Sequence, residues 1–152
     1  MKEVKVKRIK NGTVIDHITG GQALNVLHII GVRKEDPKAV LTVAMNVPSK
    51  NMGIKDIVKV EGQELKSGEV DKISLISPKS TINIIRDYAV QEKKKVSLPK
   101  TLEGVLTCGN PNCITNFEAV ETIFVVEGKS PIKLRCSHCE RTMGDKEIID
   151  QF

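Results

Sequence analysis

Apolar and polar positions alternate with a period of two near the start of the chain, at Val4 and Val6. After a turn at Asn11-Gly12 the stretch from Gly12 to Ile18 continues as an extended strand. The rhythm then changes. Thr19-Gly20-Gly21 opens a helix in which Ala23, Leu24, Leu27 and Ile30 recur at helical spacing, and Gly31 ends it. A β-rich run from Ala39 to Val47 stops at Pro48, and Lys55 to Glu61 reads as a further strand. Ser67 or Gly68 begins a second helix with Val70, Ile73 and Ile76 on one face, closed by Pro78; Thr81 to Val90 is a last strand. The order β-α-β-β-α-β predicts a ferredoxin-like antiparallel sheet with both helices on one face.

Beyond this the elements shorten. Lys93-Lys94-Lys95-Val96-Ser97-Leu98-Pro99-Lys100 joins a lysine run to Ser and Pro, a poor element interior and a natural connector. We place one domain at residues 1–95, a linker at 96–100 and a second domain at 101–152. In the second, Gly104 to Thr107 leads into a turn, Ala119 to Val126 and Ile132 to Leu134 form a hairpin around Gly128, and Glu147 to Ile149 adds a short strand. The expected class is α+β, with the second domain small and all-β.

That second domain holds all four cysteines, spaced Cys108-x4-Cys113 and Cys136-x2-Cys139 with 22 residues between the pairs. Two close pairs joined by a hairpin-length spacer are what a tetrahedral ion needs, each turn supplying two thiolates. Gly109, Asn110, Pro111 and Asn112 are turn formers that let backbone amides approach sulfur. The expected occupant is one structural zinc ion, with every position filled by protein and none open to a substrate. Paired disulfides are the competing reading. They need an oxidising compartment, whereas Met1-Lys2-Glu3-Val4-Lys5 leads into alternating charge and not an apolar run. No stretch approaches the ~18 apolar residues that cross a bilayer. A cytoplasmic location and no membrane partner are the expectation.

Charge separates the two domains. Residues 1–99 carry 18 basic against 11 acidic residues, a net of +7, and residues 100–152 carry 6 against 8, a net of −2. Four thiolates and one divalent cation would take the second domain to about −4. A zinc ribbon that grips nucleic acid needs the opposite balance, because phosphate neutralisation supplies much of its affinity. The chain also has one Tyr and no Trp, few aromatics for stacking bases. Any anion-binding role therefore belongs to the first domain. No enzyme constellation emerges: Asp16 and His17, adjacent in a strand, are expected on opposite faces. No cysteine is left over as a nucleophile, and there is no catalytic residue to name. A zinc-ribbon nucleic-acid-binding protein remains the alternative to a regulatory role, and a small-molecule enzyme is a more distant one.

Four collinear pieces then carry a resemblance: Arg8 through Ile18; Val47-Pro48-Ser49 with Met52-Gly53-x-Lys55-Asp56; Thr81-x-Asn83 with Tyr88-x-Val90; and Cys108-x-Asn110-x-Asn112-Cys113-Ile114. Together with Ser97-Leu98-Pro99, they resemble the regulatory chains of aspartate carbamoyltransferase across nearly the whole length. The resemblance implies a non-catalytic regulatory subunit in pyrimidine biosynthesis, with CTP and ATP as opposing allosteric effectors. It also implies a regulatory homodimer, and a zinc domain that docks on the catalytic chain. In that family three regulatory dimers bridge two catalytic trimers. Carried over by position, nucleotide contacts fall on Val6, Ile9, Asp16, His17, Lys59, Asn83, Ile85, Tyr88, Val90 and Lys93. Docking contacts fall on Asn110, Asn112, Glu118 and Arg141. The chemistry of several fits: Lys59 and Lys93 suit a triphosphate, Asp16 suits ribose hydroxyls, and Asn83 and Tyr88 can donate or accept hydrogen bonds. Lys7 and Arg86 depart from the family's bacterial pattern by added positive charge, which leaves the preference between CTP and ATP open.

Overall fold

The computed structural model describes residues 9–31 and 40–152 of the chain. The chain divides into two compact units between Val96 and Ser97. In the first, an antiparallel sheet is built from β1 (Gly12–Thr19), β2 (Leu41–Ser49), β3 (Gly53–Glu61), β4 (Thr81–Arg86) and β5 (Ala89–Lys95) in the order β2-β3-β1-β4-β5. Its first four strands have the ferredoxin-like order, and β5 extends the sheet at the outer edge of β4. Helices α1 (Ala23–Ile30) and α2 (Ser67–Ile76) pack against each other, and α1 also packs on β2 and β3.

The pleat explains the core. Ile15 of β1 pairs with Val58 of β3 and Ile82 of β4, and all three are buried beside Ile73 of α2 and Val26 of α1. Gly12 starts β1 where the chain leaves no room: a Cβ there would meet the Val60 carbonyl oxygen at 2.2 Å. Gly31 ends α1 in the left-handed region (φ 63°), its N–H returning to the Leu27 and His28 carbonyls. The buried stripe of α1 is Ala23, Val26 and Ile30, whereas Leu24 is 63% exposed.

Three expectations for this unit change. The Thr81–Val90 strand is a hairpin, β4 and β5, reversed by Asp87 and Tyr88, both at positive φ (51° and 66°). That pair lacks the glycine of a favoured two-residue turn. Tertiary contacts hold it: the Asp87 N–H donates to Asn11 Oδ1 and the Tyr88 N–H to the Lys10 carbonyl. The lysine run is therefore the end of β5, not a connector. β2 also runs through Pro48 to Ser49. It is an edge strand, so the missing proline N–H costs no ladder bond. The expected residues Val4, Val6 and Ala39 lie outside the described ones.

In the second unit β6 (Thr101–Glu103), β7 (Ile123–Lys129), β8 (Ile132–Cys136) and β9 (Thr142–Gly144) form an antiparallel sheet in sequential order. Phe124, Leu102, Leu134, Met143 and Ile148 make its small core. The hairpin β7-β8 turns at Ser130-Pro131 rather than at Gly128, which sits at a register shift within β7. Glu147–Ile149 is not a strand. It belongs to α3 (Asp145–Ile149), whose first turn carries Asp145 and Glu147, residues favoured by the positive end of a helix.

Asp56 is fully buried and ties three segments together. Its carboxylate accepts the N–H groups of Gly21 (2.9 Å), Ala23 (3.0 Å) and Asn46 (2.8 Å), fixing the entry to α1 and a bulge in β2. Asp56→Ala leaves these donors without their acceptor and is expected to cost about 3 kcal/mol or more. Urea denaturation of the metal-replete chain measures it, and a loss below about 1 kcal/mol would refute the clasp.

Candidate metal centre and effector face

The metal centre is assembled by two turns. Cys108 and Cys113 flank the loop that follows β6 and leads into a single 3-10 turn at Ile114–Asn116, while Cys136 ends β8 and Cys139 closes the turn after it. The four sulfurs lie within 4.8 Å of one another, three of the residues buried and Cys139 half-buried. Cys108 and Cys139 sulfurs are 3.6 Å apart, and Cys113 and Cys136 sulfurs 3.8 Å apart. A disulfide would need ~2.05 Å. Thiolates placed ~2.3 Å from a tetrahedral ion lie ~3.8 Å from each other, which is the spacing seen.

Backbone N–H groups aim at these sulfurs: Asn110 at Cys108, Thr115 at Cys113, His138 and Cys139 at Cys136, and Arg141 at Cys139. Burial pushes the Cys108 thiol up to about 12 and also raises Cys136. At Cys113 a hydrogen bond from the Thr115 hydroxyl is the largest influence, and it brings the thiol down against the opposing burial. At Cys139 burial again opposes ionisation, yet hydrogen bonds from the Asn110 amide and the Arg141 N–H bring it to about 6. Each close sulfur pair thus holds one thiol that ionises readily and one that resists. Four full thiolates in this space require a cation, and the donor set fits a structural metal with no position left over.

Around the centre, Asn116 donates to the carbonyls of Cys108 (3.1 Å) and Asn110 (2.7 Å), and Asn110 Oδ1 accepts the Asn112 N–H at 3.0 Å. Gln151, just past α3, brackets Thr107 through both its amide atoms (2.9 and 2.8 Å), holding the segment that delivers Cys108. Of the expected docking residues, Asn110 is engaged in this loop, while Asn112, Glu118 and Arg141 are exposed. Beside them Ile114 (46%), Phe117 (71%) and Val120 (36%) are exposed apolar side chains that the sequence reading left unassigned.

The expected effector residues are brought together by strand register. Lys59 of β3 pairs with Val14 of β1, Val14 with Asn83 of β4, and Asn83 with Lys93 of β5. Directly paired residues project to the same side, and the neighbouring row Val58-Ile15-Ile82 is the buried one. Lys59, Asn83 and Lys93 therefore form a polar row on the face away from the helices. One pleat along, Ile85 pairs with Gly12 and Val90, and Tyr88 stands exposed in the adjoining turn. Ile9 is half-buried just before β1, and Val6 and Lys7 lie outside the described residues. The Arg86 guanidinium is engaged by Glu64 at 2.8 Å, so it adds little free charge.

Asp16 and His17 do not alternate across the sheet as expected. A bulge interrupts the β1-β3 register between Ile15 and Ile18, with His17 at φ 55°. The His17 N–H donates to Asp16 Oδ1 at 2.6 Å, and His17 Nδ1 lies 3.0 Å from the Thr81 hydroxyl. Thr81 itself pairs with Asp16, so both groups reach the same face. Lys55 meets Asp16 at 2.9 Å. Sequence reasoning missed Lys55 and Thr81 as site residues; no local spacing signals either, since strand pairing alone brings them to Asp16.

Two family models match the chain. Residues 4–97 match the allosteric domain of the aspartate carbamoyltransferase regulatory chain, and residues 100–149 match the metal binding domain of the same chain. Among curated relatives, the aspartate carbamoyltransferase regulatory chain of Pyrococcus horikoshii is 56% identical over 149 residues, 98% of both chains. That of Pyrococcus abyssi is 55% identical over 149 residues, again 98% of both. The regulatory chain of Methanothermobacter thermautotrophicus is 54% identical over 151 residues, 99% of this chain and 96% of its own.

Burial works against ionisation of Asp16, but the Lys55 ammonium and the His17 N–H outweigh it and hold the carboxyl below its usual range. A carboxyl lowered in the folded state stabilises the fold above its unfolded value and loses that contribution as pH falls through the folded one. Asp16→Asn should therefore flatten the fall in stability below about pH 4. Thermal melts across pH 2–6 follow this, and parallel profiles for the two proteins would contradict it.

Proposed function

The chain belongs to the family of aspartate carbamoyltransferase regulatory chains, and from that premise we propose how its two units divide the work. It is a non-catalytic regulatory subunit with an allosteric and a metal-binding domain. The nucleic-acid-binding alternative finds no support. In our reading the first unit binds CTP and ATP in the control of pyrimidine biosynthesis and pairs with a second copy of itself. The second holds one zinc ion and docks on the catalytic chain in the cytoplasm. Among the described residues no helix is long and apolar enough to cross a membrane.

The observation that carries the effector assignment is the row Lys59-Val14-Asn83-Lys93, flanked by Asp16, His17, Ile85, Tyr88 and Val90 on the exposed side of the sheet. Two ammonium groups at the row's ends suit a triphosphate, Asp16 offers an acceptor to ribose hydroxyls, and exposed Val90 and Tyr88 offer apolar surface to a base. The spacing of the four sulfurs supports zinc, a metal without geometric preference that takes thiolates tetrahedrally. Bound there, it would supply structural rigidity and no chemistry.

Regulation then requires only that the nucleotide bind one quaternary state better than the other, a coupling on the order of 1–3 kcal/mol. Docking falls to the exposed side of the metal unit, where Phe117, Ile114 and Val120 lie near Asn112 and Glu118 in sequence. An exposed aromatic ringed by polar groups is the usual form of an interface anchor. The unit's negative balance suits a protein surface better than nucleic acid.

Chelation of the metal should release the catalytic chain while calorimetric binding of CTP and ATP to the intact chain persists. A chelated protein that still co-purifies with its catalytic partner would sink the docking assignment. Phe117→Ala should weaken that association about tenfold or more with metal content unchanged. Equal affinity in analytical ultracentrifugation would remove Phe117 from the interface.

A further inference from the structure

Cys113 and Cys136 are the two sulfur ligands most cut off from water, 1% and 0% exposed. Cys136 receives backbone N–H groups from two residues, His138 and Cys139. Cys113 instead takes the N–H and the hydroxyl of a single residue, Thr115, whose Oγ1 lies 3.2 Å from its Sγ. A thiolate can only accept, so with an ion bound the hydroxyl is the donor. The turn that carries Thr115 is held on both sides. The Asn116 N–H donates to the Cys113 carbonyl at 2.9 Å, and its side-chain amide donates to the carbonyls of Cys108 and Asn110. The N–H groups of Phe117 and Glu118 both return to the Ile114 carbonyl at 3.0 Å. Thr115 is thereby fixed against the sulfur.

We propose that Thr115 is a positioning residue of the metal centre, its hydroxyl orienting the Cys113 sulfur and thereby slowing loss of the ion. The inference rests on the metal-centre reading above and concerns retention of the ion, not the identity of its ligands. Four thiolates around one divalent cation carry a net charge of about −2 and repel one another. At an exposed sulfur, water spreads that charge. Cys113 is buried, so the Thr115 hydroxyl takes the place of water there. Without it the sulfur loses both an orienting contact and the partner that disperses its charge. The plain alternative is ordinary turn chemistry, in which a threonine bonds a neighbour two residues back and the metal gains nothing.

The test compares the full zinc-loaded chain with Thr115→Val, which keeps the branched shape without the hydroxyl, and Thr115→Ser, which keeps the hydroxyl without the methyl group. Transfer of zinc to an excess of a chromophoric chelator gives the release rate, and cobalt-loaded samples give the sulfur-to-metal charge-transfer band. Thr115→Val should release zinc about tenfold faster, while Thr115→Ser stays within about twofold of the unaltered chain. The cobalt band of Thr115→Val should move to longer wavelength, because a sulfur that has lost a hydrogen bond gives up an electron more readily. Release from Thr115→Val within about twofold, or an unmoved band, overturns the proposal. Equal acceleration in both variants also overturns it, assigning the effect to packing of the methyl group. A Thr115→Val chain that takes up no metal, where Thr115→Ser takes up one equivalent, shows the same effect at its limit and supports it. If the unaltered chain binds no zinc, the metal-centre reading itself falls and this inference falls with it.

Discussion

Four thiols drawn to within 4.8 Å cannot all ionise unless a cation sits among them, and the second unit is organised around that demand. Its core is a handful of side chains: Phe124, Leu102, Leu134, Met143, Ile148 and the cysteines themselves. So small an apolar interior falls short of the conformational entropy of ordering about fifty residues, and a bound ion supplies the difference. The surrounding polar groups serve the same end. Asn110, Asn116 and Gln151 hold the turns and the segment that deliver sulfur, and backbone N–H groups point at the sulfurs. Such preorganisation lets a rigid surface, including exposed Phe117, stand where a partner chain can meet it.

In the first unit the governing constraint is the two-residue pleat. It sends Ile15, Val58 and Ile82 to the helices and leaves Lys59, Asn83 and Lys93 on the opposite face, so one sheet buries a core and presents a polar surface. Two local departures from regular pairing shape that surface. The bulge at His17 brings the imidazole to the side where Asp16 lies, and the tight turn at Asp87-Tyr88 folds the lysine run back across Thr81 and Asn83. On β3, consecutive residues do different work: Lys55 engages Asp16, while Asp56 clasps the start of α1 and the bulge of β2. The candidate effector face and the helix layer are thereby tied to the same strand.

The units also differ in charge, +7 for residues 1–99 and −2 for residues 100–152 before the metal is counted. This separation places the favourable field for an anion on the first unit and not on the metal unit.

Read alone, the sequence determined the α+β class, the order of the first four strands and two helices, and the four-cysteine centre. These follow from local periodicity, from Gly31 and Pro78 as stops, and from the spacing of a residue type with few alternative uses. Only the tertiary structure decided what depends on pairing between distant segments. Asp87-Tyr88 became a turn because Lys10 and Asn11 hold it, and Pro48 stayed in a strand because β2 is an edge. The same holds for the candidate effector site. Lys55, Thr81 and the sidedness of Lys93 cannot be read from neighbours in the chain, since a strand's facing is set by its register and a shift of one residue reverses every side chain.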